Sequence, residues 1–204
     1  LLKLLLTSGK ATYVSTGCQT EIIIKKTIEE FSEYKNLNFL HCVSNYPLMP
    51  HNCNLGYIKY FKDTYGKSIG YSSHDKDWNY TLFAAALGAN IIERHITLGN
   101  RDGLDESTSS TILEFTEMVK MLKNYEKSGK GYGPRKLNQG ELLNLQNLGR
   151  SFYLSSDYKK GSVLKKENLI YVSPAIGITN NDLSAYIDKP ITRDVFKSEV
   201  LTKS

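Results

Sequence analysis

Two histidines stand where an imidazole can do chemistry. His74 sits in "GYSSHD" (Gly70 to Asp75), and His95 follows 21 residues later in "IIERHITL" (Ile91 to Leu98). Each comes after a short apolar run that reads as a strand, so each lies at or just past a strand end. Imidazole nitrogens suit zinc, manganese, iron or cobalt. Two ligands do not complete a coordination shell, and two unrelated hydrogen-bonded histidines are the competing reading. Asp75, Asp105 and Glu106 are the carboxylates available to add a ligand or brace an imidazole.

Other polar clusters fall at comparable places. "SNYP" sets Ser44, Asn45 and Tyr46 before Pro47, suited either to anionic oxygens or to a side-chain-capped turn. "STGC" offers Ser15, Thr16 and the Gly17 backbone to an anion. Cys18 has no histidine near it in sequence and reads as a small buried thiol. In "GLDESTSS", Asp105 suits a general base or a group orienting a substrate hydroxyl, while Ser109 or Ser110 suits the cap of the helix that follows.

The elements that must position these residues alternate. "ATYVST", "LNFLHCV", "SIGYSS" and "NIIERHITL" read as strands. Helical patterns lie before, between and after them, the second with Thr20 as N-cap and Ile22, Ile23, Thr27 and Phe31 on one face. Gly9, Gly66, Gly88 and Gly129 read as helix stops. Repeated strand–helix units imply a parallel sheet with right-handed crossovers, either doubly wound or part of a barrel. In both, sites are built at the carboxyl ends of strands. After residue 128 the composition shifts. "SGKGYGPRKLNQGE" reads as a linker or lid over 129–148, and 149–204 as a small β-rich domain near the lower size limit for independent stability.

Composition narrows the function. Of 204 residues, 40% are hydrophobic and 23% charged, an ordinary globular balance. The net charge of +5 comes from scattered lysines and arginines, with no basic face of the kind a nucleic-acid binder carries. Three cysteines without paired spacing argue against a disulfide framework and for the cytoplasm. No apolar stretch reaches about 18 residues, so no membrane span is expected.

Taken together, "STGC", "HCVSNYP", "GYSSHD", "ALGANIIERHITL" and "GLDESTSS" resemble the sialic acid synthase family in order and spacing. "GRSFYLSSDYKKGSVLKKENLIYVSPAIGI" resembles that family's antifreeze-like (SAF) domain. The resemblance implies an α/β chain: residues 1–128 as the C-terminal half of a (β/α)8 TIM-type barrel, a linker over 129–148, and an SAF domain over 149–204. It implies condensation of phosphoenolpyruvate with an N-acetylated sugar to give a nonulosonic acid, with release of phosphate. The alternative is a non-catalytic fragment or accessory protein that binds sugar or metal. The chain opens in mid-pattern, so the first four barrel strands are expected outside it.

Family positions carry over residue by residue. His74 and His95 match the metal ligands, the ion typically manganese. Asn45 and Tyr46 match residues lining the substrate pocket. Ser72 matches one near the phosphate, and Asp105 an active-site aspartate near the reacting end of the sugar. A homodimer is also implied. Two departures stand out. Glu106 replaces the histidine of the usual "GPDH", and Ser173 replaces an arginine that in the family reaches a partner's sugar site.

Overall fold

The computed structural model describes residues 1–99, 103, 105–129 and 133–202. It divides into two compact units, Leu1–Tyr132 and Gly133–Ser204.

The first unit alternates as its sequence predicts. After α1 (Leu2–Thr7) come β1 (Thr12–Ser15), α2 (Glu21–Glu30), β2 (Leu37–Cys42), α3 (Gly56–Tyr65), β3 (Ile69–Ser73), α4 (Asn79–Ala86) and β4 (Ile92–Arg94). The four strands are parallel and lie in the order β1-β2-β3-β4. A doubly wound sheet would reverse its order at a switch point. Here each strand follows the last in one direction, as in a barrel wall.

Strand alternation separates two faces. Register aligns Val14, Phe39, Ile69, Tyr71 and Ile92 on one of them. Phe39, Ile69, Tyr71 and Ala84 join Ile24, Ile28, Ile58 and Phe61 in a single core, so the helices cover this outer face. The opposite, inner face carries Ser15, Leu40, Cys42, Gly70, Ser72 and Glu93. Gly70 is required there, because a Cβ would stand 2.4 Å from Leu40 Cδ2.

Five local expectations need correction. Helix α2 buries Ile24 and Ile28, while Ile22 is 78% exposed. Three consecutive isoleucines span more than half the helix circumference, so the pattern alone did not select the face. Thr20 is the N-cap of α2 but makes no side-chain cap hydrogen bond. Cys18 is exposed, at a left-handed backbone position with φ 59°. The strand read over "NIIERHITL" ends at Arg94. Beyond it β5 (Ile96–Thr97) pairs instead with β6 (Ser110–Thr111). Helix α5 (Ile112–Ser128) then starts on Thr111, whose capping box with Glu114 takes the role expected of Ser109 or Ser110.

His41 lies in the outer-face core, stacked on Tyr71 and donating from Nε2 to the Cys53 carbonyl at 2.9 Å. Burial holds its pKa below the usual histidine value, against the Cys53 carbonyl and the Asp75 charge, which raise it. A depressed folded pKa gives stability that is present above the unfolded value of about 6.5 and lost as pH falls through the folded one. The Tm of the first unit is therefore expected to drop more steeply below about pH 6.5 than that of His41→Gln, which keeps a donor but cannot charge. Parallel Tm–pH curves for the two proteins would remove His41 from the account.

In the second unit, α6 (Gln139–Leu148) occupies part of the stretch read as linker. A capping box between Asn138 and Glu141 starts it. Its end is fixed by Gly149, where a Cβ would sit 2.2 Å from the Leu145 carbonyl oxygen. Strands β7 (Ser151–Leu154) and β8 (Leu169–Val172) pair antiparallel. Leu154, Leu164 and Val195 form the buried core, with Tyr158, Leu169, Tyr186 and Leu201 packed on it. Among the described residues no helix is long and apolar enough to cross a membrane.

Candidate functional site

The carboxyl ends of β2, β3 and β4 bring the two imidazoles together. His74 directly follows β3 and His95 directly follows β4, and each continues its strand's inner-face alternation. Their ring centroids are 5.3 Å apart, edge to face. The Tyr46 ring packs on His74 at 4.3 Å and meets His95 edge-on at 6.2 Å.

Hydrogen bonds set the tautomers. His74 Nδ1 lies 3.1 Å from the Val43 carbonyl oxygen, which can only accept. Nδ1 therefore carries the proton, and Nε2 of the neutral ring keeps its lone pair. That lone pair accepts from the Tyr46 hydroxyl at 3.1 Å. His95 Nδ1 lies 3.4 Å from Asp105 Oδ2, a charge contact that faces the same edge of the second ring. A ring held through Nδ1 by an oxygen acceptor presents Nε2 outward, which is how protein imidazoles are readied for a cation.

The remaining candidates separate. Ser72 is buried on the inner face and donates to Glu93 Oε2 at 2.7 Å. Asn45 is exposed, next to Tyr46. Glu106 accepts from Thr97 Oγ1 at 2.7 Å. Asp75 points away from both imidazoles, into the outer-face core, where Tyr71, Ser73 and Cys53 donate to it. Among the described residues no third His, Cys, Asp or Glu completes a metal-holding group. Among the described residues the cluster thus presents two imidazole nitrogens.

Sequence reasoning passed over two neighbours, Cys42 and Glu93. Cys42 Sγ lies 3.7 Å from Ser44 Oγ and 3.9 Å from His74 Nδ1. Burial raises its pKa, but the bonds to His74 and Ser44 outweigh that and bring it below the usual thiol value. The contact of the His74 Nδ1–H with the Cys42 sulfur also leads in holding the His74 pKa up, against burial. Strand alternation was the available signal, since Glu93 stands two residues before His95 and Cys42 two before Ser44. Gly17 closes the floor: a Cβ there would come within 2.2 Å of Ser44 Oγ and 2.9 Å of Cys42 Sγ.

The model of the NeuB family matches residues 1–133, nearly two thirds of the chain and the whole of this site. The chain belongs to the NeuB family. A pseudaminic acid synthase from Campylobacter jejuni is 32% identical over 99% of this chain. The human N-acetylneuraminate-9-phosphate synthase is 28% identical over 95% of it. A crystal structure of an N-acetylneuraminic acid (sialic acid) synthetase from Leptospira borgpetersenii, in complex with citrate, covers 70% of this chain and is itself covered to 50%, with TM-score 0.62 and 31% identity. The chain spans 59% of the length of the Campylobacter relative and 55% of the human one. Within this NeuB-family chain the parallel sheet is a curled half-barrel, part of a TIM-like barrel.

Proposed function

We propose that this chain carries the metal- and substrate-binding half of a nonulosonic acid synthase, which joins phosphoenolpyruvate to an N-acetylated sugar and releases phosphate. The observation that carries the reading is the pair of imidazoles set together at successive strand ends, with His74 tied through Nδ1 to Val43 and His95 facing Asp105 through the same atom. Imidazole nitrogens with open positions for water and substrate oxygen fit a divalent ion such as manganese. His74 and His95 would hold it, and when bound it would act as a Lewis acid on the sugar's carbonyl oxygen.

The chain's own residues do the rest by position and charge. Ser72, at the buried end of β3, and the Gly17 backbone line the floor where a phosphate would rest. Asn45 and Tyr46 form the exposed wall for the sugar. Asp105, half-exposed and 3.4 Å from His95 Nδ1, would steady that ring by charge and meet a sugar hydroxyl. Phosphate release by the full-length protein with phosphoenolpyruvate, manganese and a panel of N-acetyl sugars tests the reading. No release with any sugar favours the alternative, a sugar- or metal-binding protein without turnover.

The second unit is proposed as an SAF-like domain that acts in a homodimer. Ser173 bears on the sugar. It is exposed and donates to the Leu148 carbonyl at 3.1 Å, at the end of α6. Arg193 is engaged by Glu199 and the Asp194 carbonyl. The charged contact that an arginine would make to the sugar is absent from position 173. One charged hydrogen bond is worth about 1.5–3 kcal/mol, so a sugar that needs it loses at least about tenfold. A 2,4-diacetamido-trideoxy hexose, whose extra amide substitutes for that contact, is expected to exceed N-acetylmannosamine in kcat/KM by that margin. Equal or better use of N-acetylmannosamine sinks this preference.

A further inference from the structure

We infer that Tyr46 and a divalent cation compete for the same lone pair on His74, so that loading the cation requires the phenol to leave. The inference rests on the metal reading above. Val43 fixes the proton of His74 on Nδ1, so a neutral ring has one acceptor, Nε2. The Tyr46 hydroxyl already fills it at 3.1 Å. One lone pair serves one partner: a hydrogen bond and a coordinate bond to the same nitrogen exclude each other.

The two imidazoles therefore differ. His95 faces Asp105 through Nδ1 at 3.4 Å, and no hydrogen bond to its Nε2 is found among the described residues. His74 is held through Nδ1 by Val43 and is capped at Nε2. Tyr46 is also built to move. It is 46% exposed and packs on His74 by one face, whereas His74 is 3% exposed and held from below. When the phenol leaves, it carries a free donor and acceptor to the wall of the pocket where the sugar is proposed to bind. Tyr46 is thus a positioning residue that couples cation loading to the availability of a substrate contact.

Cobalt(II) titration of the full chain, followed by calorimetry, tests this with wild type, Tyr46→Phe, His74→Ala and the double variant. Phenylalanine keeps the ring stack and removes only the hydroxyl. One neutral hydrogen bond to displace corresponds to about 3- to 10-fold in affinity. Tyr46→Phe should bind cobalt that much more tightly, while His74→Ala and the double variant should match each other. Before metal is added, the imidazole 15N resonance of His74 Nε2 should move toward that of an unbonded acceptor in Tyr46→Phe. Equal or weaker cobalt binding by Tyr46→Phe overturns the competition and leaves the metal reading intact. An Nε2 resonance that does not move also counts against it. Cobalt binding by neither wild type nor Tyr46→Phe overturns both.

Discussion

Asp75→Ala is expected to destabilise the first unit by about 3–5 kcal/mol, the cost of stripping a buried charge of its partner. Asp75 is 1% exposed. Its Oδ2 accepts from Tyr71 Oη at 2.5 Å and Ser73 Oγ at 3.0 Å, and its Oδ1 from Cys53 Sγ at 2.9 Å. Its hydrogen bonds add to burial in raising both partners, pushing Cys53 up to about 12, so thiol and phenol stay protonated as donors. Ser73 Oγ also accepts from Arg94 Nη1 at 2.8 Å. A guanidinium can only donate, so the single hydroxyl proton of Ser73 must go to Asp75. Carboxylate and guanidinium are joined through one serine. An alanine in place of Asp75 would leave three donors without their acceptor and a buried cation without its counter-charge. An asparagine would keep the shape and one acceptor, so Asp75→Asn should cost about 1–3 kcal/mol. Urea unfolding followed by Trp78, the single tryptophan, reports on this unit. A loss under about 1 kcal/mol for alanine would mean the relay carries no net energy.

This relay was not legible in the sequence. Asp75 adjoins His74, and one-dimensional proximity suggested a ligand or its brace. Strand geometry sends neighbours to opposite faces, so the residue beside a site residue faces the core. The same rule explains what was legible: the strand–helix alternation, and the two histidines at successive strand ends. Both follow from local pattern, with few alternatives once the strands are parallel. The burial of Ile24 in place of Ile22 and the pairing of β5 with β6 depend on which surfaces meet, which pattern does not encode. Helix α6 was masked by the glycines and proline before it, although Asn138 and Glu141 already spelled its capping box. Glu93 and Cys42 needed only the period of two, applied from Ser44 and His95 backwards.

The relay also bears on the chemistry. Ser73 and Asp75 bracket His74, and Arg94 precedes His95 and donates from Nε to Ser110 Oγ at 2.6 Å. Ser110 N donates in turn to the His95 carbonyl at 2.9 Å. The backbones beneath both imidazoles are thus clamped from the outer face, while the rings are turned to the inner one. On the proposed metal reading, rings held in this way would lose little freedom when a cation arrives, the preorganisation that a two-ligand site needs.

His74→Ala and His95→Ala should each lower phosphate release by the full-length protein by at least about 100-fold. A Lewis acid at a carbonyl oxygen supplies several kcal/mol of transition-state stabilisation, and about 2.7 kcal/mol is already a factor of 100. Either substitution leaves a single nitrogen, too few to hold the ion in place. Asp105→Asn should do less, because it leaves the ring in place and removes only the charge 3.4 Å from His95 Nδ1. Loss of such an outer partner costs about 10- to 100-fold in metal affinity. The ranking separates the roles. If Asp105 acts only through His95, saturating manganese should restore most of the Asp105→Asn rate and none of the His95→Ala rate. If Asp105 also moves a proton on the sugar, kcat stays low at saturation. Both histidine variants should keep the wild-type Tm to within a few degrees, since the clamp that holds their backbones does not use the rings. Wild-type turnover in either variant would exclude the imidazole pair as the metal site.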